Sequence, residues 1–165
     1  MVFLGDDLNN GDTTYEYYHT QQAQEAASVV NPSLQVQKIF ALEYEYDEFQ
    51  NKPKARDDMF AAINEGRLMW YYVGHGGYDK LGAEDYMNGA TDMGRFNNTG
   101  KLPFFMAASC SVSHFDYWGY ESLGQKVVLM DNIGAIASLA ATRISFPANN
   151  HGLAKLLLNS LANNR

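Results

Sequence analysis

Two apolar segments, each followed by a reactive side chain, constrain the fold of this chain more than any other feature. The first spans residues 68–73 and is followed by His75, and the second spans residues 102–108 and is followed by Cys110. Segments that are apolar on both faces are typical of strands in a parallel sheet that is covered by helices on each side. If the two strands are neighbours, His75 and Cys110 emerge side by side at one edge of the sheet. That is the geometry of a thiolate and its partner imidazole.

The remaining periodicity predicts strands and helices that alternate along the chain. Such alternation predicts an α/β fold, a three-layer α/β/α sandwich around a mostly parallel sheet of about five to six strands, with right-handed crossovers. Ligand sites in such sheets lie beyond the carboxyl ends of the strands. The predicted strands are 2–4, 34–40, 68–73, 102–108 and 135–141; the helices are 13 or 14 to 30, 55–64, 121–130 and 151–161, with at most a short helix at 84–87 in the long loop 74–100.

Composition excludes several classes of protein. A chain of 165 residues with 46% apolar content is expected to form a single domain around one core. The net charge of -7 and the absence of basic clusters argue against nucleic acid as a partner. No apolar run approaches the length of a transmembrane segment, and no signal peptide opens the sequence. The single cysteine excludes an internal disulfide and leaves Cys110 as a candidate nucleophile.

The residue types around the two reactive side chains suit nucleophilic catalysis. A cysteine attacks as its thiolate, and a neighbouring imidazole favours that form or protonates the leaving group. Gly74, Gly76 and Gly77 flank the histidine, and these residues let a substrate backbone approach closely. On this pattern alone, a buried structural thiol and a histidine in a turn fit equally well. No cofactor is predicted, because no Gly-rich phosphate loop follows the first strand and no spacing of histidines and carboxylates forms a metal site.

The sequence around these two residues also carries a family resemblance. Residues 72–77 are Tyr-Val-Gly-His-Gly-Gly and residues 108–110 are Ala-Ser-Cys. In this order, and each after an apolar strand, they resemble the His-Gly and Ala-Cys motifs of caspase-like cysteine peptidases, the gingipain family in particular. Further matches to that family are Phe-Leu-Gly-Asp-Asp (3–7), Ile-Asn-Glu-Gly (63–66), Phe-Asp (115–116), Gly-Ala-Ile-Ala (134–137) and Ala-Thr-Arg (141–143).

The resemblance implies a mechanism and a cellular role. It implies that Cys110 forms a thioester with the cleaved polypeptide, that His75 is the general acid and base, and that the backbone amides of Gly76 and Cys110 hold the oxyanion. The most similar branch of the family consists of surface sortases of the type IX secretion system. These remove C-terminal sorting domains from secreted proteins and attach the proteins to lipopolysaccharide at the bacterial outer membrane. The implied partners are therefore a polypeptide substrate, other secretion-system proteins and lipopolysaccharide.

The resemblance has limits. The sequence Ala-Ser-Cys-Ser-Val lacks the Gln-Ala-Cys-x-Gly signature of caspases, so specificity for aspartate is not expected. Members of the sortase branch are much longer, so residues 1–165 are expected to be a single peptidase domain, a truncated core within a longer protein. The alternative function is a catalytically inactive caspase-like binding module in a secretion system. A third reading is an unrelated doubly wound domain that binds a small molecule.

Further residues are candidates for orienting the histidine or binding substrate. Asp6 and Asp7 follow the first strand, where they suit contact with His75, a substrate or a cation, although such residues also satisfy loop amides. Arg143 follows the last strand and suits a pair with Asp7 or with a substrate carboxylate. Glu84 and Glu121 flank the two motifs and suit a groove wall or a solvated helix start. An aromatic groove for a polypeptide is suggested by Tyr44, Tyr46, Tyr117, Trp118 and Tyr120.

Overall fold

The computed structural model describes residues 1–7 and 17–163, which form a five-stranded parallel sheet with helices on both faces. The strands follow the order β2-β1-β3-β6-β7, and a separate hairpin joins β4 and β5. The strands are β1 (Val2–Gly5), β2 (Gln37–Phe40), β3 (Met69–Val73), β4 (Lys80–Leu81), β5 (Met87–Asn88), β6 (Phe104–Ala108) and β7 (Ala137–Ala140). The helices are α1 (Tyr18–Ser28), α2 (Pro53–Glu65), α3 (Leu123–Leu129) and α4 (Pro147–Asn163). The α/β sandwich predicted from the sequence is confirmed.

Each face of the sheet has its own apolar core, which explains why β3 is apolar throughout. Trp70 and Tyr72 face the core formed with α2 and α3, whereas Tyr71 faces the core formed with α1 and α4. All three side chains are fully buried. Trp70 also stacks on Phe105 of β6 with ring centroids 4.0 Å apart. Burial of each such side chain stabilises the fold by roughly 1.5–3 kcal/mol, so these residues contribute strongly to the stability of the sheet.

Local signals set the ends of α2 and α3, the two helices on the Trp70 face. Pro53 begins α2, where its missing N–H and fixed φ are compatible with the first turn, and Gly66 ends it with φ +97°. Helix α3 begins with a capping box in which Ser122 and Gln125 exchange hydrogen bonds. These local sequence signals fix where α2 begins and ends and where α3 begins.

The structure corrects part of the long loop between β3 and β6. The short helix predicted at 84–87 is wrong: Asp85 has φ +50°, which interrupts a helix, and Met87 pairs with Leu81 in the β4-β5 hairpin. The second strand covers only 37–40 of the predicted 34–40, and α4 begins at Pro147 rather than at 151. The predicted start of the first helix at Thr13 or Thr14 lies outside the described residues.

No helix in the described parts of the chain has both the length and the apolar character needed to cross a membrane.

Candidate active site

His75 and Cys110 follow neighbouring strands at matching positions. β3 and β6 are parallel and adjacent, and the last pair in their register is Val73 with Ala108. Each reactive residue comes two positions after its member of that pair. The expected arrangement of the two strands is therefore present, and both residues leave the same edge of the sheet. His75 is exposed and Cys110 is partly exposed, so solvent reaches both side chains.

The loop that carries His75 packs directly on the loop that carries Cys110. A Cβ atom added at Gly76 would lie 2.4 Å from Ser109 Oγ and 3.0 Å from Val112 Cγ2. Both distances are shorter than ordinary van der Waals contact, so only glycine permits this approach. The absence of a side chain at Gly76 therefore allows the two loops to pack closely.

The backbone of His75 is fixed from below by Asp6 and Tyr72. Asp6 Oδ2 accepts the His75 backbone N–H at 2.8 Å, and Tyr72 Oη lies 2.6 Å from the His75 carbonyl oxygen and 3.0 Å from Asp6 Oδ2. The Gly82 N–H also donates to the His75 carbonyl at 2.9 Å. Asp6 thus contacts the backbone of the histidine, and the sequence-based expectation that an aspartate orients His75 applies here to the main chain.

The imidazole of His75 is in contact with a second, buried histidine. The rings of His19 and His75 meet edge to face with centroids 5.4 Å apart. His19 Nδ1 lies 3.2 Å from Gln22 Oε1 within α1. Burial lowers the pKa of His19, and the nearby His75 lowers it further. His19 is buried and His75 is exposed, so His75 is the imidazole that a substrate can reach at this edge.

The sulfur of Cys110 makes its hydrogen bonds with Ser145. The thiol donates to the Ser145 carbonyl at 3.4 Å, and the Ser145 N–H donates to the sulfur at 3.5 Å. Asn150 holds the Ser145 hydroxyl at 2.8 Å. Among the described residues, no hydrogen bond joins the sulfur to the His75 ring.

The backbone N–H groups of Gly76 and Cys110, which the resemblance implies as oxyanion donors, have no acceptor in the part of the chain that the structure describes. The neighbouring Gly77 N–H, by contrast, donates to the Lys80 carbonyl at 3.0 Å. Backbone N–H groups that lack an acceptor and lie where the two loops meet suit stabilisation of a developing negative charge.

The predicted aromatic residues separate into two groups. Tyr117 stacks on Tyr78, which follows the His75 loop, with centroids 5.5 Å apart, and Tyr120 contacts both rings. Trp118, in the same segment, is 95% exposed. The other group, Tyr44 and Tyr46, instead donates hydrogen bonds to Asp58 and to the buried Asp7. Only the first group forms an aromatic surface between the loops of His75 and Cys110.

Arg143 pairs with Asp116, which corrects the pairing with Asp7 predicted from the sequence. The guanidinium forms two hydrogen bonds to that carboxylate, at 2.8 and 2.7 Å. This contact lowers the pKa of Asp116 to about 2. The two segments are also joined through the main chain, because the Ser111 N–H donates to the Arg143 carbonyl at 3.0 Å. Arg143 therefore holds the segment that follows Cys110.

Asp7 and Glu84 lie in the interior, so neither faces a groove. Asp7 forms an ion pair with Lys52, and Tyr46 also donates to it. Glu84 is only 1% exposed, which excludes the groove wall and the solvated helix start considered for it; Glu121, in contrast, is exposed. Asp6, Asp7 and Glu84 form one buried cluster, in which one carboxylate oxygen from each lies within 4.8 Å of the other two.

Three contributors to the site were not identified from the sequence. His19 lies in α1, and the sequence of that helix does not indicate that His19 contacts His75. Ser145 and Tyr72 contact the site through tertiary folding, although the position of Tyr72 three residues before His75 was a possible signal.

Comparisons with known proteins agree with this geometry. The model of Peptidase family C25 matches residues 1–165. The solved structure of the Arg-specific cysteine proteinase gingipain R (RgpB) superposes with a TM-score of 0.73 at 14% identity, over 99% of this chain and 36% of that one. The complex of Porphyromonas gingivalis RgpB pro- and mature domains gives 0.65 at 17% identity, over 98% and 36%. No curated protein matches the chain. The chain spans about a third of the length of these solved structures, and at such identities the likeness is one of fold.

Proposed function

The chain belongs to peptidase family C25, and on that premise we propose that it is a cysteine peptidase in which Cys110 is the nucleophile and His75 the general acid and base. The observation that carries this proposal is the register of β3 and β6, which brings both residues to one edge two positions beyond the Val73–Ala108 pair. The substrate proposed is a polypeptide. The doubly wound small-molecule domain considered above is set aside by the family match.

The reaction begins when the Cys110 thiol transfers its proton to His75 and the sulfur attacks the scissile carbonyl carbon. The C–S bond forms, the carbonyl π electrons move to oxygen, and the unoccupied N–H groups of Gly76 and Cys110 stabilise that oxyanion. When the intermediate collapses, the C–N bond breaks and His75 donates a proton to the leaving amine. The products of this half-reaction are the released C-terminal segment and a thioester on Cys110.

The second half-reaction depends on the acceptor. Neutral His75 removes a proton from the acceptor, which attacks the thioester carbonyl, and the C–S bond breaks to restore the thiolate. Water as acceptor gives hydrolysis, and an amine gives transpeptidation. We propose the second outcome for a role like that of PorU, the type IX secretion sortase, with removal of C-terminal sorting domains and attachment of the product to lipopolysaccharide at the bacterial cell surface. The support for this finer role is the motif resemblance described above.

The aromatic surface of Tyr78, Tyr117 and Tyr120 supports a polypeptide substrate. It lies between the two loops and exposes Trp118 beside them, so an extended chain that reaches Cys110 would pass over these rings. Aromatic side chains supply large contact area at low conformational cost, which suits recognition of a peptide.

One observation favours the second candidate, a catalytically inactive binding module. The Cys110 sulfur is hydrogen-bonded to Ser145 rather than to His75. A carbonyl acceptor stabilises the protonated thiol, which would lower its reactivity. The partial exposure of Cys110 favours the catalytic candidate instead, because the thiol is not sealed from a reagent.

The test compares labelling of Cys110 by a peptide acyloxymethyl ketone, a reagent that requires an activated thiolate. In the catalytic case the native protein is labelled, Cys110→Ala is not, and His75→Ala is labelled at least about 100-fold more slowly, the loss typical of a missing acid-base group. His151→Ala is the matched control, because His151 lies in α4 and contacts Glu25 of α1 rather than Cys110, and its labelling rate should stay at the native value. Equal rates in His75→Ala and the native protein would overturn the assignment of His75 as the partner of Cys110.

A further inference from the structure

Cys110 lies between two segments that both expose large apolar side chains. One segment, 111–120, follows the cysteine along the chain, and the other, 143–146, follows β7. The exposed apolar side chains on these two segments are Phe115, Tyr117, Trp118, Tyr120, Ile144 and Phe146. Contiguous exposed apolar surface of this kind marks a place where a protein binds a partner or a ligand.

Main-chain contacts bring segment 143–146 directly to the candidate nucleophile. The Ser145 N–H and carbonyl both hydrogen-bond with the Cys110 sulfur, at 3.5 and 3.4 Å. Ile144 and Phe146 stand on either side of Ser145, with their Cα atoms about 3.8 Å from its own, and they are 84% and 72% exposed. A carbonyl carbon under attack lies about 3–3.5 Å from the sulfur. The side chain on the same substrate residue therefore comes within reach of these two apolar side chains.

The charged groups of the two segments already compensate each other. Asp116 is the carboxylate of segment 111–120, and Arg143 is the cation of segment 143–146. The guanidinium binds both oxygens of that carboxylate, at 2.8 and 2.7 Å. Glu121, the next carboxylate along the chain, instead lines a separate recess with Lys126. A charged substrate side chain thus meets no uncompensated opposite charge on these segments, whereas an apolar side chain meets apolar surface.

We propose that this protein selects an apolar or aromatic side chain on the substrate residue whose carbonyl is attacked, and that Ile144 and Phe146 determine the selection. The proposal rests on the function proposed above and adds the class of substrate to it. An apolar side chain that packs on these two residues removes their surface from water, which is favourable. An arginine or glutamate side chain in the same place would lose hydration without gaining an ionic partner. Such a preference differs from the arginine specificity stated for gingipain R.

The first measurement uses peptide acyloxymethyl ketones that differ only in the residue that carries the ketone. We expect reagents with Phe or Leu at that position to label Cys110 at least about tenfold faster than reagents with Arg or Glu, a ratio typical of an apolar contact. Phe146→Ala and Ile144→Ala should each lower the ratio of the Phe rate to the Arg rate at least about threefold, because each removes apolar contact area. The rate with the Arg reagent should stay at the native value in both variants.

Leu156→Ala is the matched control for these two variants. Leu156 is exposed to the same extent as Phe146, 72%, but it lies in the middle of α4, about 13 Å along the helix from Pro147. Its removal should leave the ratio of the Phe rate to the Arg rate unchanged. The proposal is overturned if the native protein is labelled equally fast by the Phe and Arg reagents. It is also overturned if Phe146→Ala and Ile144→Ala both keep the native ratio.

A second measurement separates this proposal from the catalytic one. Capped peptides with Phe or Arg at the same position are titrated into Cys110→Ala, and binding is followed by the fluorescence of Trp118, since the other tryptophan, Trp70, is buried. Tighter binding of the Phe peptide supports apolar selection even if no reagent labels the native protein, a result that would remove the peptidase function alone. Equal or tighter binding of the Arg peptide overturns the apolar selection, whether or not Cys110 is labelled.

Discussion

Two groups of polar residues lie beyond the carboxyl ends of neighbouring strands in the same sheet, and they have opposite environments. Those that follow β3 and β6, His75 and Cys110, reach solvent and make few side-chain hydrogen bonds. Those that follow β1, Asp6 and Asp7, are buried and lie beside the buried Glu84. A strand end thus offers a place for polar chemistry, but burial decides whether the residues meet a substrate or an internal partner.

The difference also assigns distinct physical tasks to the two groups. Exposed groups retain their hydration, so they are free to exchange protons and to accept a substrate. Buried carboxylates are held in place by their surroundings and can position the groups that they bond. Asp6, for example, accepts a hydrogen bond from the His75 backbone N–H at 2.8 Å. The burial of Asp6 raises its pKa well above the usual range, and Glu84 adds to that shift. The buried group is therefore a support for the exposed one.

The largest expected effect tests whether the buried carboxylates that follow β1 depend on their cationic partner for stability. Lys52→Met leaves the Asp7 carboxylate buried without its ammonium partner, so we expect the free energy of unfolding to fall by about 3–5 kcal/mol. Lys54→Met is the matched control, because the Lys54–Asp58 pair is on the surface and such pairs contribute about 0–1 kcal/mol. Urea denaturation measures both. Equal losses in the two variants would remove the distinction between the buried and exposed groups.

A smaller effect is expected where the two catalytic loops meet. Gly76→Ala places a methyl group 2.4 Å from Ser109 Oγ, so the loops must separate at a cost of about 1–3 kcal/mol in stability. The rate of Cys110 labelling should fall by more than that loss of stability explains at temperatures where the variant is folded. Gly77→Ala is the control, since the nearest atom to its new methyl group is Lys80 Cγ at 4.0 Å. If both variants are labelled at the native rate, close packing of the two loops is not required for the reactivity of Cys110.

The smallest effect concerns His19, the buried residue that contacts the exposed group. Its folded pKa lies below the ordinary value of 6.5, so the unfolded chain binds this proton more readily than the folded one. The contribution of His19 to stability is therefore complete above about pH 6.5 and declines as the pH falls below that value. His19→Gln should show a shallower decline between about pH 7.5 and 5.5 in denaturation experiments. An unchanged slope would mean that His19 does not titrate with folding.

Much of this architecture could be predicted from the sequence because its signals are local. The apolar stretches before His75 and Cys110 indicated buried parallel strands, and Gly66 marked the end of α2. The prediction failed at 84–87, where the positive φ of Asp85 and pairing of Met87 with Leu81 replaced the helix. Arg143 was placed at the correct strand end, but its partner proved to be Asp116, since both belong to loops whose paths depend on the whole fold.

By itself, the sequence determined the order of strands and helices and the two reactive residues at strand ends, because periodicity and apolar content act over a few neighbouring residues. The family motifs added the family and an expected mechanism. Only the tertiary structure decided that Ser145 meets the Cys110 sulfur, that His19 meets His75, and that Asp6, Asp7 and Glu84 share one buried cluster. These contacts join segments far apart in the chain, and their burial depends on how the two layers of helices close over the sheet.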